Sequence, residues 1–291
     1  MTGSTQPPGP DFRAPPGTCD CHMHVYGPKD EYPVAPTTPF PVPDKGVSAY
    51  RRVMARLGIE RVVVVQPTAY GDDNRCLLDA MDELGPIARG VAVVNSDVSD
   101  AELQRMSDLG VRGLRFHLLP GGVLPFEILA TMADRVHGFG WHIQLQMDGR
   151  NLQQHSEVLK RLPCALVVDH TGKFLEPVNT DHPGFRALLD LLDSGRVWVK
   201  LSAPYETSRL GPPHYMDVGR LARGLIQAAP ERMLWASNWP HPGQREPLSD
   251  HDLLALTLDW LPDPTVRHRV LVTNPAELYR FPPPVDQRSS P

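Results

Sequence analysis

Short apolar runs alternate with stretches of helical periodicity along most of the chain. The runs are bounded by turn residues and occupy positions 19–25, 61–66, 90–95, 113–118, 142–147, 165–169, 197–201 and 233–237. Several of them, such as 62–65, are continuous and rich in valine, which is typical of strands buried on both faces. The alternation therefore predicts βα units around a parallel sheet.

The stretches between the runs predict helices. Their positions are 48–57, 73–84, 99–109, 126–138, 151–162, 184–193, 214–229 and 249–261, and a closing helix is predicted at 264–281. Ser99 and Glu102 have the spacing of a capping box, in which each side chain serves a free amide at the helix start.

Eight strands that alternate with helices over about 260 residues match the size of a (β/α)₈ TIM barrel, an α/β fold with a single domain. A doubly wound sheet is the alternative, but no G-x-G-x-x-G turn follows a predicted strand. The barrel is predicted to span residues 18–281, between a disordered N-terminal arm at 1–17 and a flexible C-terminal tail at 282–291. The proline-rich segment 28–46 forms a long first βα loop, a kind of segment that often serves as a lid or binding loop.

Composition narrows the functional classes. The formal net charge of −5 gives no general attraction to nucleic acid or to an anionic membrane. No apolar run approaches the roughly 20 residues that cross a bilayer, and residues 1–17 lack the apolar segment of a signal peptide. The four cysteines have no framework spacing and are expected to be reduced, buried thiols. These features predict a cytoplasmic protein.

An H-x-H pair, His22 and His24, lies on the first predicted strand. Strict alternation would place both imidazoles on one face together with Asp20. The opposite face is then predicted to carry Cys19, Cys21, Met23 and Val25. This division argues against a mixed Cys/His zinc site, and a coincidental pair of surface histidines is the alternative.

Polar residues recur where the other predicted strands end, and in a barrel these ends converge on one face. They are Gln66 and Tyr70 (strand two), Arg115 and His117 (four), Gln144, Gln146 and Asp148 (five), Asp169 and His170 (six), Lys200 and Ser202 (seven), and Asn238 and His241 (eight). Each has a structural alternative: His170 could be a buried structural imidazole, and Arg115 could cap a helix or pair with Asp169.

Together these motifs resemble the amidohydrolase superfamily (amidohydrolase-related, family 2), in the branch of D-galactarolactone isomerase and 2-pyrone-4,6-dicarboxylate lactonase. The matching segments include D-H-T-G-K-F at 169–174 and W-P-H at 239–241, with others at 20–28, 113–116, 197–200, 205–209 and 272–275. They extend over nearly the whole of 18–281. The resemblance implies a (β/α)₈ barrel whose polar face processes a lactone.

The strand-eight residue separates the members of this branch. Most of the superfamily, the lactonase included, carries an aspartate there that activates water, whereas this chain has Asn238. An amide has no basic lone pair near neutral pH and cannot serve as a general base. The isomerase shares this feature but lacks the first histidine of the H-x-H pair, and His22 is present here.

A zinc ion would find three possible ligands in His22, His24 and His170. The strand-five position that usually supplies a further histidine holds Gln144 or Gln146, and the strand-eight carboxylate is missing. We therefore predict no metal cofactor, as the resemblance to both enzymes implies, and keep zinc as the alternative.

The predicted function is a metal-independent lactone isomerase that acts on a sugar-diacid lactone by intramolecular acyl transfer. The predicted catalytic residues are His22, His24, His170 and Asn238, and the predicted substrate-binding residues are Arg115, Gln144, Lys173, Lys200, Arg209 and His241.

The alternative is a lactonase that hydrolyses a small dicarboxylic lactone, with His170 or Asp169 activating water. A non-catalytic barrel that binds carboxylates is the alternative from another class, and for Arg209 a surface salt bridge is the competing role. The expected partner is a small anionic lactone, with no nucleic acid or membrane, in a possible homo-oligomer.

Overall fold

The computed structural model describes residues 13–36, 38 and 40–282, and eight parallel strands form its centre. They are β1 (Cys19–Met23), β2 (Arg61–Val65), β3 (Ala88–Ala92), β4 (Val111–His117), β5 (His142–Gln146), β6 (Leu166–Val168), β7 (Val197–Leu201) and β8 (Met233–Trp235). Each strand pairs with the next, and β1 meets the segment after β8 through a parallel bridge between Met23 and Trp239. The predicted (β/α)₈ barrel is confirmed.

Helices follow the strands in sequence. They are α1 (Val47–Leu57), α2 (Arg75–Leu84), α3 (Asp100–Asp108), α4 (Leu129–His137), α5 (Leu152–Lys160), α6 (Pro183–Leu192), α7 (Met216–Ala228) and α8 (Asp250–Trp260). The predicted closing helix is divided into α9 (Pro264–His268), a π-helical turn (Arg269–Thr273) and α10 (Asn274–Tyr279). At the start of α3, Ser99 Oγ accepts from the Glu102 amide at 3.1 Å, but the Glu102 carboxylate pairs with Arg105, so only half of the predicted capping box forms.

The N-terminal end of the barrel is filled with apolar groups. Tyr279 and Phe281 pack with interior residues such as Val63 and Val65, and the Arg61 guanidinium lies 5.2 Å from the centre of the Phe281 ring. Most of the buried polar side chains of the interior lie at the opposite, C-terminal end, whereas His142 lies at this end, with its ring centre 5.4 Å from that of Tyr279.

A β-bulge in β1 changes which side chains enter the barrel. Asp20 is opposite Val62 and Met23 is opposite Val64, so three steps along β1 match two along β2. Cys19 and Cys21 consequently lie in the interior cluster, and the prediction that they face away from the histidines is wrong. An extra residue in one strand breaks the alternation of side chains that the prediction assumed.

Asp20 lies on the outer side of the barrel, away from the histidine side chains. Its carboxylate accepts from Tyr50 Oη at 2.6 Å and from the amides of His22 and Ser237, and the Ser237 hydroxyl donates to it as well. Asp20 therefore joins β1, α1 and the segment after β8, and its predicted position beside His22 and His24 is corrected.

The segments outside the barrel are partly described. Of the predicted arm, residues 1–12 lie outside the described part of the chain, whereas Ala14 is buried and its amide donates to the Leu57 carbonyl at 2.7 Å. Of the predicted tail, only residue 282 is described. The first βα loop is anchored by paired backbone hydrogen bonds between Tyr26 and Lys45.

All four cysteines are free and buried, and within the described ranges no helix is long and apolar enough to cross a membrane.

Candidate active site

The two β1 histidines form a buried pair at the C-terminal end of the barrel. Their Nε2 atoms are 3.2 Å apart, and His24 Nδ1 lies 2.7 Å from the carbonyl oxygen of Val65. Burial lowers the pKa of both imidazoles well below 6.5, so both are neutral at neutral pH. Because the carbonyl only accepts, His24 carries its hydrogen on Nδ1 and the shared hydrogen belongs to His22 Nε2.

This tautomer leaves His22 Nδ1 as an acceptor. Lys200 Nζ lies 3.2 Å from it and donates a second hydrogen bond to Gln144 Oε1 at 2.6 Å. Gln144 in turn donates through Nε2 to Asp169 Oδ2 at 3.1 Å. The H-x-H pair is therefore connected to the ends of β5, β6 and β7 through one hydrogen-bonded network.

Lys200 and Asp169 form the central ion pair of this network, with Nζ and Oδ1 3.3 Å apart and both side chains fully buried. Burial alone would raise the pKa of Asp169, but the Lys200 ammonium outweighs it and holds the pKa well below 3.8. Burial also lowers the pKa of Lys200, and Asp169 opposes that shift. The network thus contains a buried carboxylate that remains ionised because a cation is next to it.

A possible metal-ligand group exists, but the surrounding charges do not suit a divalent ion. His22, Asp169 and His170 have ligand atoms within 4.8 Å of one another, whereas His24 is not in this group. The Lys200 ammonium lies 3.2 and 3.3 Å from atoms of two of these ligands and already neutralises the carboxylate. A divalent cation here would meet a buried ammonium at close range, so the residues present do not fit it.

His170 lies in an unusual turn after β6. Four consecutive residues, 170–173, have positive φ angles, which is strained for the three that are not glycine. His170 Nδ1 is 2.8 Å from Ser202 Oγ at the end of β7, and among the described residues its Nε2 has no hydrogen-bond partner. Burial lowers the pKa of His170 well below 6.5, although the Asp169 carboxylate opposes the shift. The imidazole is therefore neutral, with one nitrogen free to exchange a proton.

Asn238, in the left-handed region with φ 59°, begins a second network. Its Nδ2 donates to Tyr205 Oη at 2.9 Å and to Glu206 Oε1 at 3.1 Å. Glu206 also forms a close ion pair with Lys173. Because both amide hydrogens are used, Asn238 offers only its Oδ1, an acceptor, to a substrate.

Tyr205 connects Asn238 to the N-terminus of α8, where Asp250 is the first residue. Its hydroxyl is 3.0 Å from His241 Nδ1, and His241 Nε2 is 3.0 Å from Asp250 Oδ1. The Asp250 carboxylate accepts a hydrogen bond from His241 Nε2–H, so His241 Nδ1 accepts from the Tyr205 hydroxyl. His241 thus orients Tyr205 through this relay.

Arg115 borders a cleft between the ends of β2 and β4. Its guanidinium donates to the Gln66 carbonyl at 2.7 Å and to Gln146 Oε1 at 2.9 Å. The cleft encloses about 250 Å³ including its open mouth and is also lined by His117 and residues 121–124.

Most of the predicted site residues lie together in these networks. Arg209 does not: its side chain is 69% exposed and pairs with Glu176 at the surface, the role considered above as the alternative. Three residues of these networks were not among the predicted site residues: Tyr205, Glu206 and Asp250. The first two follow β7 in a loop without periodicity, and only the fold brings them to Asn238.

Comparison with known proteins agrees with this architecture. A profile of the amidohydrolase family matches residues 19–281. Over 283 residues the chain is 38% identical to D-galactarolactone isomerase of Agrobacterium fabrum, covering 95% of this chain and 94% of that protein. It is 36% identical to 2-pyrone-4,6-dicarboxylate hydrolase of Comamonas testosteroni, with coverages of 94% and 93%.

A solved structure also has the same fold. The apo crystal structure of an Agrobacterium tumefaciens protein superposes with a TM-score of 0.88 at 37% identity, covering 94% of this chain and all of that one. The barrel, its polar C-terminal end and these matches agree with the resemblance seen in the motifs: the chain belongs to the amidohydrolase family, in the branch of the isomerase and the dicarboxylate hydrolase.

Proposed function

We propose that the protein is a metal-independent lactone isomerase that acts on a sugar-diacid lactone such as D-galactarolactone. The observation that carries this proposal is the state of Asn238, which cannot take a proton and whose amide hydrogens are held by Tyr205 and Glu206. The nearby Glu206 carboxylate is itself engaged by Lys173. An isomerase needs no activated water at this position, because a hydroxyl of the substrate is the nucleophile.

The proposed reaction is an intramolecular acyl transfer with His170 as acid and base. A substrate hydroxyl gives its proton to His170 Nε2 while its oxygen bonds to the lactone carbonyl carbon. In the resulting tetrahedral intermediate the bond to the ring oxygen breaks, and that oxygen takes the proton back from His170. The product is a lactone of different ring size, with no net gain or loss of atoms.

His22 is proposed to stabilise the oxyanion of this intermediate, and His24, whose hydrogen is held by the Val65 carbonyl, is proposed to position His22. In the free protein the His22 Nε2 hydrogen is shared with His24 Nε2. A lactone carbonyl beside the pair would replace His24 as its acceptor, and one such well-aimed donor is worth roughly 3 kcal/mol. Arg115 and Lys173 would hold the substrate carboxylates, while Gln144 and Lys200 would fix His22.

Proton NMR of galactaro-1,5-lactone incubated with the protein tests the proposal. A 1,4-lactone that appears before the free acid supports isomerisation. Direct opening to the acid would overturn it and support the alternative, a lactonase acting on a small dicarboxylic lactone. The 36% identical hydrolase favours that second candidate, with His170 as the base that activates water.

The expected partner is a small anionic lactone, which suits the buried cations of the site. The four free, buried thiols fit the reducing cytoplasm predicted for the chain.

Turnover is expected to be unaffected by removing metal. The reason is that Lys200 lies where a divalent ion would have to contact His22 and Asp169. Protein purified without added zinc, treated with a chelator and then dialysed, is expected to keep its full kcat, with less than one-tenth equivalent of metal by mass spectrometry. Stoichiometric zinc together with chelator-sensitive turnover would refute this.

The affinity for an anionic lactone is expected to fall above about pH 8. Burial lowers the pKa of Lys173 to about 8, so the side chain is charged below this pH and neutral above it. Loss of the charge should raise KM several-fold between pH 7.5 and pH 9, after subtraction of spontaneous lactone opening. Lys173→Arg keeps its charge over this range and should abolish the rise, whereas equal alkaline limbs in both proteins would contradict the assignment.

A further inference from the structure

The charged side chains around the reaction centre do not balance. Among the described residues, those that face it are three cations and two carboxylates, namely Arg115, Lys173, Lys200, Asp169 and Glu206. Lys200 pairs with Asp169 at 3.3 Å, and Lys173 pairs with Glu206. These four side chains therefore cancel one another in pairs, and the charge of Arg115 remains.

Arg115 has no anionic partner of its own. Its guanidinium donates to two neutral acceptors, the Gln66 carbonyl and Gln146 Oε1. The guanidinium is buried, but a charge in a poorly solvated site acts over several ångströms and needs no direct contact with a ligand. The site as a whole is therefore left with one positive charge.

Carboxylates farther from the reaction centre leave this balance unchanged. Asp148 pairs with Arg150 at 2.6 Å, and Asp250 lies 3.3 Å from the Arg56 guanidinium. Asp20 lies on the outer side of the barrel, where two hydroxyls and two backbone amides donate to it.

Glu206 is the carboxylate that sets the balance beside the reacting groups. Its Oε1 accepts from Asn238 Nδ2 at 3.1 Å, and its partner Lys173 ends the strained turn that begins at His170. Only 15% of the Glu206 side chain and 8% of the Lys173 side chain are exposed, so solvent screens this pair little. Lys173 keeps further N–H donors for a ligand, because an ammonium has three, but its charge is already neutralised.

We propose that Glu206 is a specificity-determining residue that, by neutralising Lys173, limits the site to ligands with one negative charge. The inference rests on the proposed function and narrows its substrate class. A sugar-diacid lactone has one free carboxylate and matches the remaining cation. The opened diacid has two, and the second would be a buried negative charge without a partner. The site then accepts both lactone isomers and rejects the hydrolysed diacid, as well as lactones with two free carboxylates.

Calorimetric binding of two matched ligands to the unmodified protein tests the inference without requiring turnover. Galactonate and galactarate are six-carbon acids with the same four chain hydroxyls, and they differ at one end, where galactonate has a hydroxymethyl group and galactarate a second carboxylate. We expect galactonate to bind at least about tenfold more tightly, because the second carboxylate lies in the field of Glu206 without a free cation. Equal or tighter binding of galactarate, or no measurable binding of galactonate, would overturn the inference.

A variant locates the effect at Glu206. Glu206→Gln keeps an acceptor for Asn238 but removes the negative charge, so it should shift the affinity ratio at least about tenfold in favour of galactarate. Glu176→Gln is the matched control, because Glu176 pairs with Arg209 at the surface and is 48% exposed. The control should leave the ratio within twofold.

An unchanged ratio in a folded Glu206→Gln protein would refute the role of Glu206. If this variant does not fold, the preference of the unmodified protein for galactonate or galactarate decides alone.

The two proposals fail separately. Selective binding of galactonate without lactone isomerisation would refute the proposed function and leave the charge limit set by Glu206 intact. Isomerisation by a protein that binds galactarate as tightly as galactonate would refute the charge limit and leave the proposed function intact.

Discussion

Replacing His170 by alanine is expected to lower kcat about a thousandfold. General acid–base catalysis contributes roughly 10²- to 10⁴-fold, and His170 has the free, neutral nitrogen of the site. The folded state should change little, because the Ser202 hydroxyl can accept a hydrogen bond from water once the imidazole N–H is removed. The measurement is the initial rate of lactone interconversion by NMR.

His137→Ala is the matched control for this variant. His137 is exposed near the end of α4, so its removal should leave kcat within twofold. A His170→Ala protein that is folded and retains more than one-tenth of the activity would show that another group moves the proton. In that case Glu206, the carboxylate beside Asn238, becomes the residue to replace next.

Lys200→Met is expected to reduce the free energy of unfolding at pH 7 by about 3–5 kcal/mol, because it leaves the Asp169 carboxylate buried without its cation. The double variant Lys200→Met, Asp169→Asn should recover part of this loss, since neither charge then remains. Denaturant unfolding measures both quantities. Lys160→Met, which removes an exposed lysine of α5, should change stability by less than about 0.5 kcal/mol.

The effect of Lys200→Met should also depend on pH. In the unmodified protein the folded-state pKa of Asp169 is depressed, so its contribution to stability is present above the unfolded value of about 3.9 and is lost as the pH falls toward the folded value. Without Lys200 that pKa rises, and the variant should lose stability as the pH increases through 4. A destabilisation of the same size at pH 4 and pH 7 would contradict this account of the ion pair.

The local pattern of the sequence was enough to predict the fold. The strand predicted at 197–201 coincides with β7, because a nearly continuous apolar run bounded by turns specifies a buried parallel strand, and the strand predicted at 142–147 exceeds β5 by one residue. The strand predicted at 90–95 begins two residues late, since Ala88 and Arg89 lack the apolar signal and extend β3 only by pairing with Val62 and Val63. The helix predicted at 264–281 is interrupted at Arg269–Thr273, where a π-helical turn fits the chain against the base of the barrel.

Two features could be determined only from the tertiary structure. One is the side of the barrel that each β1 side chain faces, and the other is the set of contacts that the loop residues make. A bulge is determined by the pairing of β1 with β2, which no pattern within the strand reveals, and it sends Asp20 to α1 while Cys21 enters the barrel. Arg209 and Glu206 are three residues apart in one loop, yet one lies at the surface and the other against Asn238. Their different environments depend on where Glu176 and Lys173 are placed by the turn after β6.

For the H-x-H pair, too, one feature followed from the sequence and another depended on the tertiary structure. The sequence by itself determined that His22 and His24 are close together at the polar end of a barrel, because neighbours along one strand need no distant contact to meet. Only the tertiary structure decided the hydrogen-bonding state of the pair, through the Val65 carbonyl on one side and the Lys200 ammonium on the other. Those partners are 41 and 178 residues away in sequence, and a proton's position depends on the groups that surround it in space.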